Sequence, residues 1–173
     1  NSKIYNLLEA TDCLKTLNAF KNMGVKIKKE DKYYLFKGNG LFGLNQPKDK
    51  IDCGNSGTTM RLLSGLLAGQ NGKFLLDGDK SLRKRPMKRI IDPLRSMGAD
   101  INADRDDNYA PLLIKGRKLS SINYELPVAS AQLKSSLLLA NLYTNGKMVL
   151  KEPKASRDHT EIILETLGLD LKR

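Results

Sequence analysis

The chain has 173 residues, enough to bury a real core as one large or two small domains. Its 30 Lys and Arg against 19 Asp and Glu leave a net charge of +11, which fits an anionic partner, either nucleic acid or a small phosphorylated or carboxylated ligand. No apolar run approaches the roughly 18 residues of a membrane span, and the start NSKIYNLLEATDCLK lacks a signal-peptide pattern. Two cysteines out of metal spacing and a single histidine exclude a structural zinc site, so reduced, buried thiols in a cytoplasmic protein are expected.

In chain order, LNAFKNMGVKI (Leu17 to Ile27) reads as a helix stopped by Gly24 and followed by a strand. Ile51 to Cys53 is a short strand. From about Thr58 to Ala68 comes a helix whose Leu62, Leu63, Leu66 and Leu67 cover more than one face, the pattern of a helix buried on several sides. GQNG ends it, and Lys73 to Leu76 is a strand. Pro86 suits the first position of the next helix, in which Met87, Ile90, Ile91, Leu94 and Met97 recur at helical spacing. Pro93 inside that helix predicts a kink or a broken hydrogen-bond ladder, and Gly98 stops it. Ile101 and Leu112 to Ile114 belong to two closing strands, and Ala131 to Leu142 forms another apolar helix.

The chain repeats itself. LNAFKNMGVKI answers IDPLRSMGADI, with Gly24 and Gly98 separated by 98 − 24 = 74 residues, and IILETLGLDL is a third copy whose Gly168 lies 168 − 98 = 70 further on. SGTTMRLLSGLLAGQNGKFLL aligns with SAQLKSSLLLANLYTNGKMVL, again at an offset of 74 (Ser56 over Ser130, Gly72 over Gly146). The offset predicts repeated units of strand, helix, strand, helix, strand, strand. Residues 1–50 hold part of one unit, 51–124 a whole one and 125–173 the front of a third, all in a single domain.

Two stretches point to chemistry. DCGNSGTTMRLLSGLLAG places a glycine-rich loop at a helix start, where free N–H groups and the helix dipole suit an anion. It also reads as a tight strand-to-helix turn, and Thr58 after Gly57 departs from a Walker loop, which requires lysine there. Lys80, Arg83, Lys84, Arg85, Lys88, Arg89 and Arg95 crowd into sixteen residues opposed only by Asp92, either an anion site or a solvated basic face.

The motifs GNSGTTMRLLSG, GDKSLRKRPM, YAPLLIKG, PVASAQLKSSLLLA and SRDHTE, in this order and over most of the chain, resemble the EPSP synthase family of enolpyruvyltransferases. The loop GDKSLRKRP lacks the reactive cysteine usual in the related UDP-N-acetylglucosamine enzymes, which favours the shikimate branch. The resemblance implies an α/β lobe of repeated βαβαββ units with pseudo-threefold symmetry, buried helices and outer sheets. It implies transfer of the enolpyruvyl group of phosphoenolpyruvate to the 5-hydroxyl of shikimate 3-phosphate, without metal or organic cofactor, and a second lobe as partner.

By the same resemblance Asn55, Gly57, Arg85 and Gln132 meet phosphoenolpyruvate, and Ser130, Gln132, Ser156 and Arg157 meet shikimate 3-phosphate. Arginine's planar fork suits such anions better than lysine does. Other readings stand beside these: Ser130 and Ser156 as helix caps, Gln132 on a helix surface, Arg61 as a structural or interlobe residue. Lys134 and His159 have no assigned role. The family's lysine–serine–arginine segment would precede Asn1 and its proton-transfer residues would follow Arg173, so the chain alone is expected to be inactive. A basic nucleic-acid-binding module, or another relative of the fold, is the alternative. Against the former, Tyr33 and Tyr34 are the only adjacent aromatics, and none interleaves with the clustered cations.

Overall fold

The computed structural model describes residues 1–172. The chain runs β1 (Ser2–Tyr5), α1 (Thr11–Asn22), β2 (Lys26–Lys29), β3 (Tyr33–Lys37), β4 (Ile51–Asp52), α2 (Gly57–Ala68), β5 (Lys73–Asp77), a 3-10 turn (Leu82–Lys84), α3 (Lys88–Ser96), β6 (Asp100–Asp104), β7 (Tyr109–Lys115), β8 (Asn123–Glu125), α4 (Ala131–Asn141), β9 (Val149–Lys151) and α5 (His159–Thr166). Three sheets form among the described residues, ordered β1-β3-β2, β4-β5-β7-β6 and β8-β9. The closing antiparallel pair β6–β7 aligns Ile101 with Ile114, and β5 joins β7 with Phe74 opposite Ile114.

The helices form the core. Leu63, Leu67 and Ala68 of α2 are buried with Ile90, Ile91 and Leu94 of α3 and with Leu133, Leu137 and Ala140 of α4. On the sheets, β7 alternates, burying Ala110, Leu112 and Ile114 while its other residues stay half-exposed, the pattern of a sheet with one face on the core. No helix among the described residues is long and apolar enough to cross a membrane.

Two close approaches fix how α2 meets α4. A side chain at Gly65 would overlap the backbone carbonyl of Ser136, and one at Gly69 would overlap the ring of Tyr143. At the other end, Gln132 Nε2 donates to Thr58 Oγ1 at 2.8 Å. Since start touches start and finish touches finish, the helices run parallel and bring both N-termini to one place.

Gly24, Gly98 and Gly168 end α1, α3 and α5 with the same backbone geometry. Their φ angles are +91°, +97° and +92°. Each glycine N–H reaches the carbonyl three residues back (Lys21, Arg95, Glu165), and the next N–H reaches five back (Phe20, Leu94, Leu164). This double bond pattern is the Schellman cap, and the left-handed φ is why glycine stands there.

Helix α3 differs from its expected start. It begins at Lys88, so Pro86 lies outside it. The hairpin between β6 and β7 sets this boundary: Asn108 O accepts from Met87 N at 2.6 Å and Asn108 Oδ1 from Lys88 N at 3.0 Å, satisfying N–H groups that open the helix. The helix continues through Pro93, which has no N–H to offer the Arg89 carbonyl. The short strand β4 also stops at Asp52, one residue before Cys53.

Candidate anion site at two helix starts

The chain enters α2 through Cys53–Ser56. Gly54, at φ +55°, makes the turn, with its N–H on Asp52 Oδ1 at 2.8 Å. Ser56 caps the helix by accepting from Thr59 N at 3.2 Å, and Ser130 caps α4 in the same way from Leu133 N at 3.4 Å. The capping role of Ser130 is therefore realised, and its hydroxyl proton is still available to an incoming acceptor.

Around these starts four of the expected site residues converge. Arg85 Nη2 donates to Asn55 Oδ1, and Asn55 Nδ2 donates to Asp79 Oδ2 at 2.9 Å. A Cβ on Gly57 would lie 3.3 Å from Arg85 Nη1 and 3.0 Å from Arg61 Nη1, so the missing side chain keeps the space between the guanidiniums open. Gln132 joins through Thr58 and through Arg61, whose Nη1 donates to Gln132 Oε1 at 2.6 Å.

The loop that delivers Arg85 is tied down by acids. Asp79 Oδ1 accepts from the N–H groups of Ser81 (2.9 Å) and Leu82 (2.8 Å), and those bonds, Leu82's first, hold its carboxyl below the ordinary range. Asp77, 3% exposed, accepts from Arg83 Nε (2.8 Å) and Nη2 (2.5 Å), from Lys50 Nζ (2.8 Å) and from Gly78 N (2.8 Å). Arg83's bonds dominate, and they hold the Asp77 carboxyl far below its usual value against the opposing effect of burial.

Electrostatically the site is unbalanced. Burial, then the charges of Arg89 and Arg85, push the Arg61 guanidinium's pKa down from its usual value. Among the described residues no carboxylate pairs with Arg61, Arg85 or Arg89. Arg61 and Arg85 beside two helix N-termini, with the charge of Arg89 acting on Arg61, are an arrangement that a bound anion would relieve.

The remaining residues separate. Arg157 lines a depression of about 220 Å³ with Thr58, Gln132, Ser135, His159 and Thr160. Ser156 instead donates to Glu152 Oε2 at 2.5 Å, bordering a different hollow of about 510 Å³. Lys134, left without a role by the sequence, lies buried there between Glu152 and Glu161, both at 2.6 Å. Burial pushes its ammonium down, but the two carboxylates outweigh that and its pKa is raised.

Sequence reasoning missed the part of Thr58, and it read Arg61 as a structural or interlobe residue. Arg61 sits four residues after Gly57, one turn along the same helix face, and that spacing was the available signal.

The family model for EPSP synthase (3-phosphoshikimate 1-carboxyvinyltransferase) matches residues 1–173. A 3-phosphoshikimate 1-carboxyvinyltransferase of Geobacter sp. (strain M21) is 51% identical over 167 residues, covering 96% of this chain and 39% of that protein. One of Thermodesulfovibrio yellowstonii is 52% identical over 171 residues, covering 98% and 40%. A solved EPSP synthase from Acinetobacter baumannii superimposes with a TM-score of 0.95 at 44% identity, covering 99% of this chain and 39% of that one. The chain thus spans 39–40% of the length of these relatives.

Proposed function

The chain belongs to the EPSP synthase family, and we propose that it is a substrate-binding lobe of an enzyme that moves the enolpyruvyl group of phosphoenolpyruvate to the 5-hydroxyl of shikimate 3-phosphate. The observation that carries this reading is the meeting of Asn55, Gly57, Arg85 and Gln132 at the starts of α2 and α4, with the guanidiniums of Arg61 and Arg85 on either side of the gap at Gly57. Guanidiniums and helix N-termini are the groups that charge-assisted recognition of a carboxylate or phosphate calls for.

In this proposal Asn55, Gly57, Arg85 and Gln132 hold phosphoenolpyruvate, while Ser130, Gln132 and Arg157 hold shikimate 3-phosphate. Ser156 joins them by turning its hydroxyl from Glu152 to the ligand. The scaffold is a set of βαβαββ units related by pseudo-threefold symmetry, partial over 1–50, complete over 51–124 and partial over 125–173. The three matching glycine caps and the parallel course of α2 and α4 support it. The groups that shuttle protons come from a second lobe, so these 173 residues bind without turning over.

The test is a pair of measurements on the purified chain. NMR titration should show millimolar binding of both substrates at separate sets of resonances, and mixing them should release no phosphate above a protein-free blank. Absence of any binding would remove the reading, and phosphate release would remove the need for a second lobe.

One observation favours the nucleic-acid alternative. On the outer face of β1-β3-β2, strand register places Lys3, Tyr5, Tyr33, Leu35, Lys37, Lys26 and Lys28 together, with Lys3 Nζ 4.8 Å from the Tyr33 ring centroid. Cations and aromatics thus meet on this sheet, away from the clustered cations of residues 80–95. If that face is a stacking platform, Tyr33→Ala should weaken binding of an oligouridine by at least as much as Lys26→Ala; equal small losses from all lysines and none from Tyr33 would mark mere charge.

A further inference from the structure

Lys134 ties together three segments that the chain delivers separately. It sits in the first turn of α4, where its backbone N–H reaches the Ser130 carbonyl at 3.0 Å. Its buried ammonium bonds Glu152 Oε1, just after β9, and Glu161 Oε1 in α5, both at 2.6 Å. Glu152 passes the link on, because its other oxygen, Oε2, accepts the Ser156 hydroxyl at 2.5 Å. Burial works against the Glu152 carboxylate, but bonds from Lys134 and then from Ser156 outweigh it and hold its pKa below the usual value. Residues 152–158 form neither helix nor strand. No backbone ladder fixes them, so side-chain ties decide where they lie. The start of α5, by contrast, has a second tie to α4, between Ser135 Oγ and Thr160 Oγ1 at 2.6 Å.

We propose that Lys134 is a positioning residue: through Glu152 it anchors the segment 152–158, and so sets Ser156 and Arg157 against Ser130 and Gln132 on its own helix. These four are the residues assigned above to shikimate 3-phosphate, divided between a segment without regular structure and a helix start. A ligand that spans both gains when their separation is fixed beforehand, since a loose segment must be ordered at the expense of affinity. The chemistry of the tie also suits release of the hydroxyl. When Ser156 turns to a ligand, Glu152 keeps Lys134, and no carboxylate is left alone. The ligand-binding half of this inference rests on the function proposed above; the anchoring of the segment does not.

Two measurements on the full chain test it. Without ligand, nitrogen-15 relaxation should give Ser156 and Arg157 order parameters of about 0.85 in the parent, falling toward about 0.6 in Lys134→Met. Thr160, held through Ser135, should stay ordered in both. Should Lys134→Met fail to fold, Lys134→Met combined with Glu161→Gln removes a buried charge of each sign and gives the same comparison. With ligand, Lys134→Met should weaken shikimate 3-phosphate about tenfold, the effect of having to order two side chains on binding, and should largely spare phosphoenolpyruvate. Unchanged order parameters at Ser156 and Arg157 would overturn the proposal. Equal losses for both substrates would also overturn it, since Lys134 would then support the fold at large. If the parent chain bound no shikimate 3-phosphate, the functional reading would fall while the ligand-free comparison still decided whether Lys134 anchors the segment.

Discussion

Thr58 and Gln132 are hydrogen-bonded at 2.8 Å and lie 132 − 58 = 74 residues apart, the offset at which the sequence repeats. Gly69 and Tyr143, close neighbours at the far end of the same two helices, are also 74 apart. Positions of equal rank in α2 and α4 thus oppose each other at both ends, and Gly65 against the Ser136 carbonyl lets the backbones close in between. Gly65→Ala should therefore destabilise the chain. Overpacking against backbone costs about 1–3 kcal/mol, and alanine's better helix propensity recovers only about 1 kcal/mol. A lower urea midpoint at unchanged slope is the expected result; an unchanged midpoint would show that the helices separate freely.

Asp77 should make the chain acid-sensitive. Its folded pKa lies below the unfolded value of about 3.9, so its contribution is complete above pH 4 and is lost as pH falls toward the folded value. Asp77→Asn should cost about 2–3 kcal/mol at pH 7 by leaving Arg83 and Lys50 without their shared carboxylate. Denaturation of both proteins from pH 7 to 2.5 should show the gap narrowing below pH 4. A constant gap would mean that the carboxylate's charge is not what stabilises.

The two arginines should separate by ligand. Arg85→Ala is expected to weaken phosphoenolpyruvate by ten- to a hundredfold, the range for a charge-assisted contact, while largely sparing shikimate 3-phosphate. Arg157→Ala should do the reverse. Equal losses from both, matched by Lys88→Ala or Arg89→Ala, would indicate a diffuse polyanion surface.

The cysteines should differ in reactivity. Burial, first, and the nearby carboxylates of Asp52 and Asp77 push the Cys53 thiol up to about 12, so almost none is thiolate at pH 8. Cys13 is half-buried. An aromatic disulfide reagent should label Cys13 in the native chain and Cys53 only after unfolding. Native labelling of Cys53 at a comparable rate would show that the loop before α2 opens.

Much of this was legible in the sequence because it is local. A glycine cap needs only a helix and a residue able to take positive φ, so Gly24, Gly98 and Gly168 mark their helix ends directly. Asn55, Gly57 and Arg85 were legible through motif. What escaped depends on how distant segments meet. The start of α3 is set by Asn108, twenty residues after Lys88, and no propensity of Pro86 reveals that. Arg61 reaches Gln132 only because α2 and α4 pack closely enough for their first turns to touch. Ser156 turns to Glu152, a carboxylate that also holds Lys134, buried one helix away.

The difference between the offsets 74 and 70 has a location. Gly72 to Gly146 still spans 74 residues, so the four residues absent from the third copy fall between the strand and the second helix of the unit. In the central copy that interval contains the 3-10 turn Leu82–Lys84 followed by Arg85; the later interval, 152–158, has no helical turn and carries Ser156 and Arg157. A single inserted turn thus lengthens the arm on which one arginine is mounted, while the frame that carries both arms keeps its dimensions. Under the function proposed above the two arms would carry their arginines to different anions, and shortening the first arm by four residues should make them compete for one.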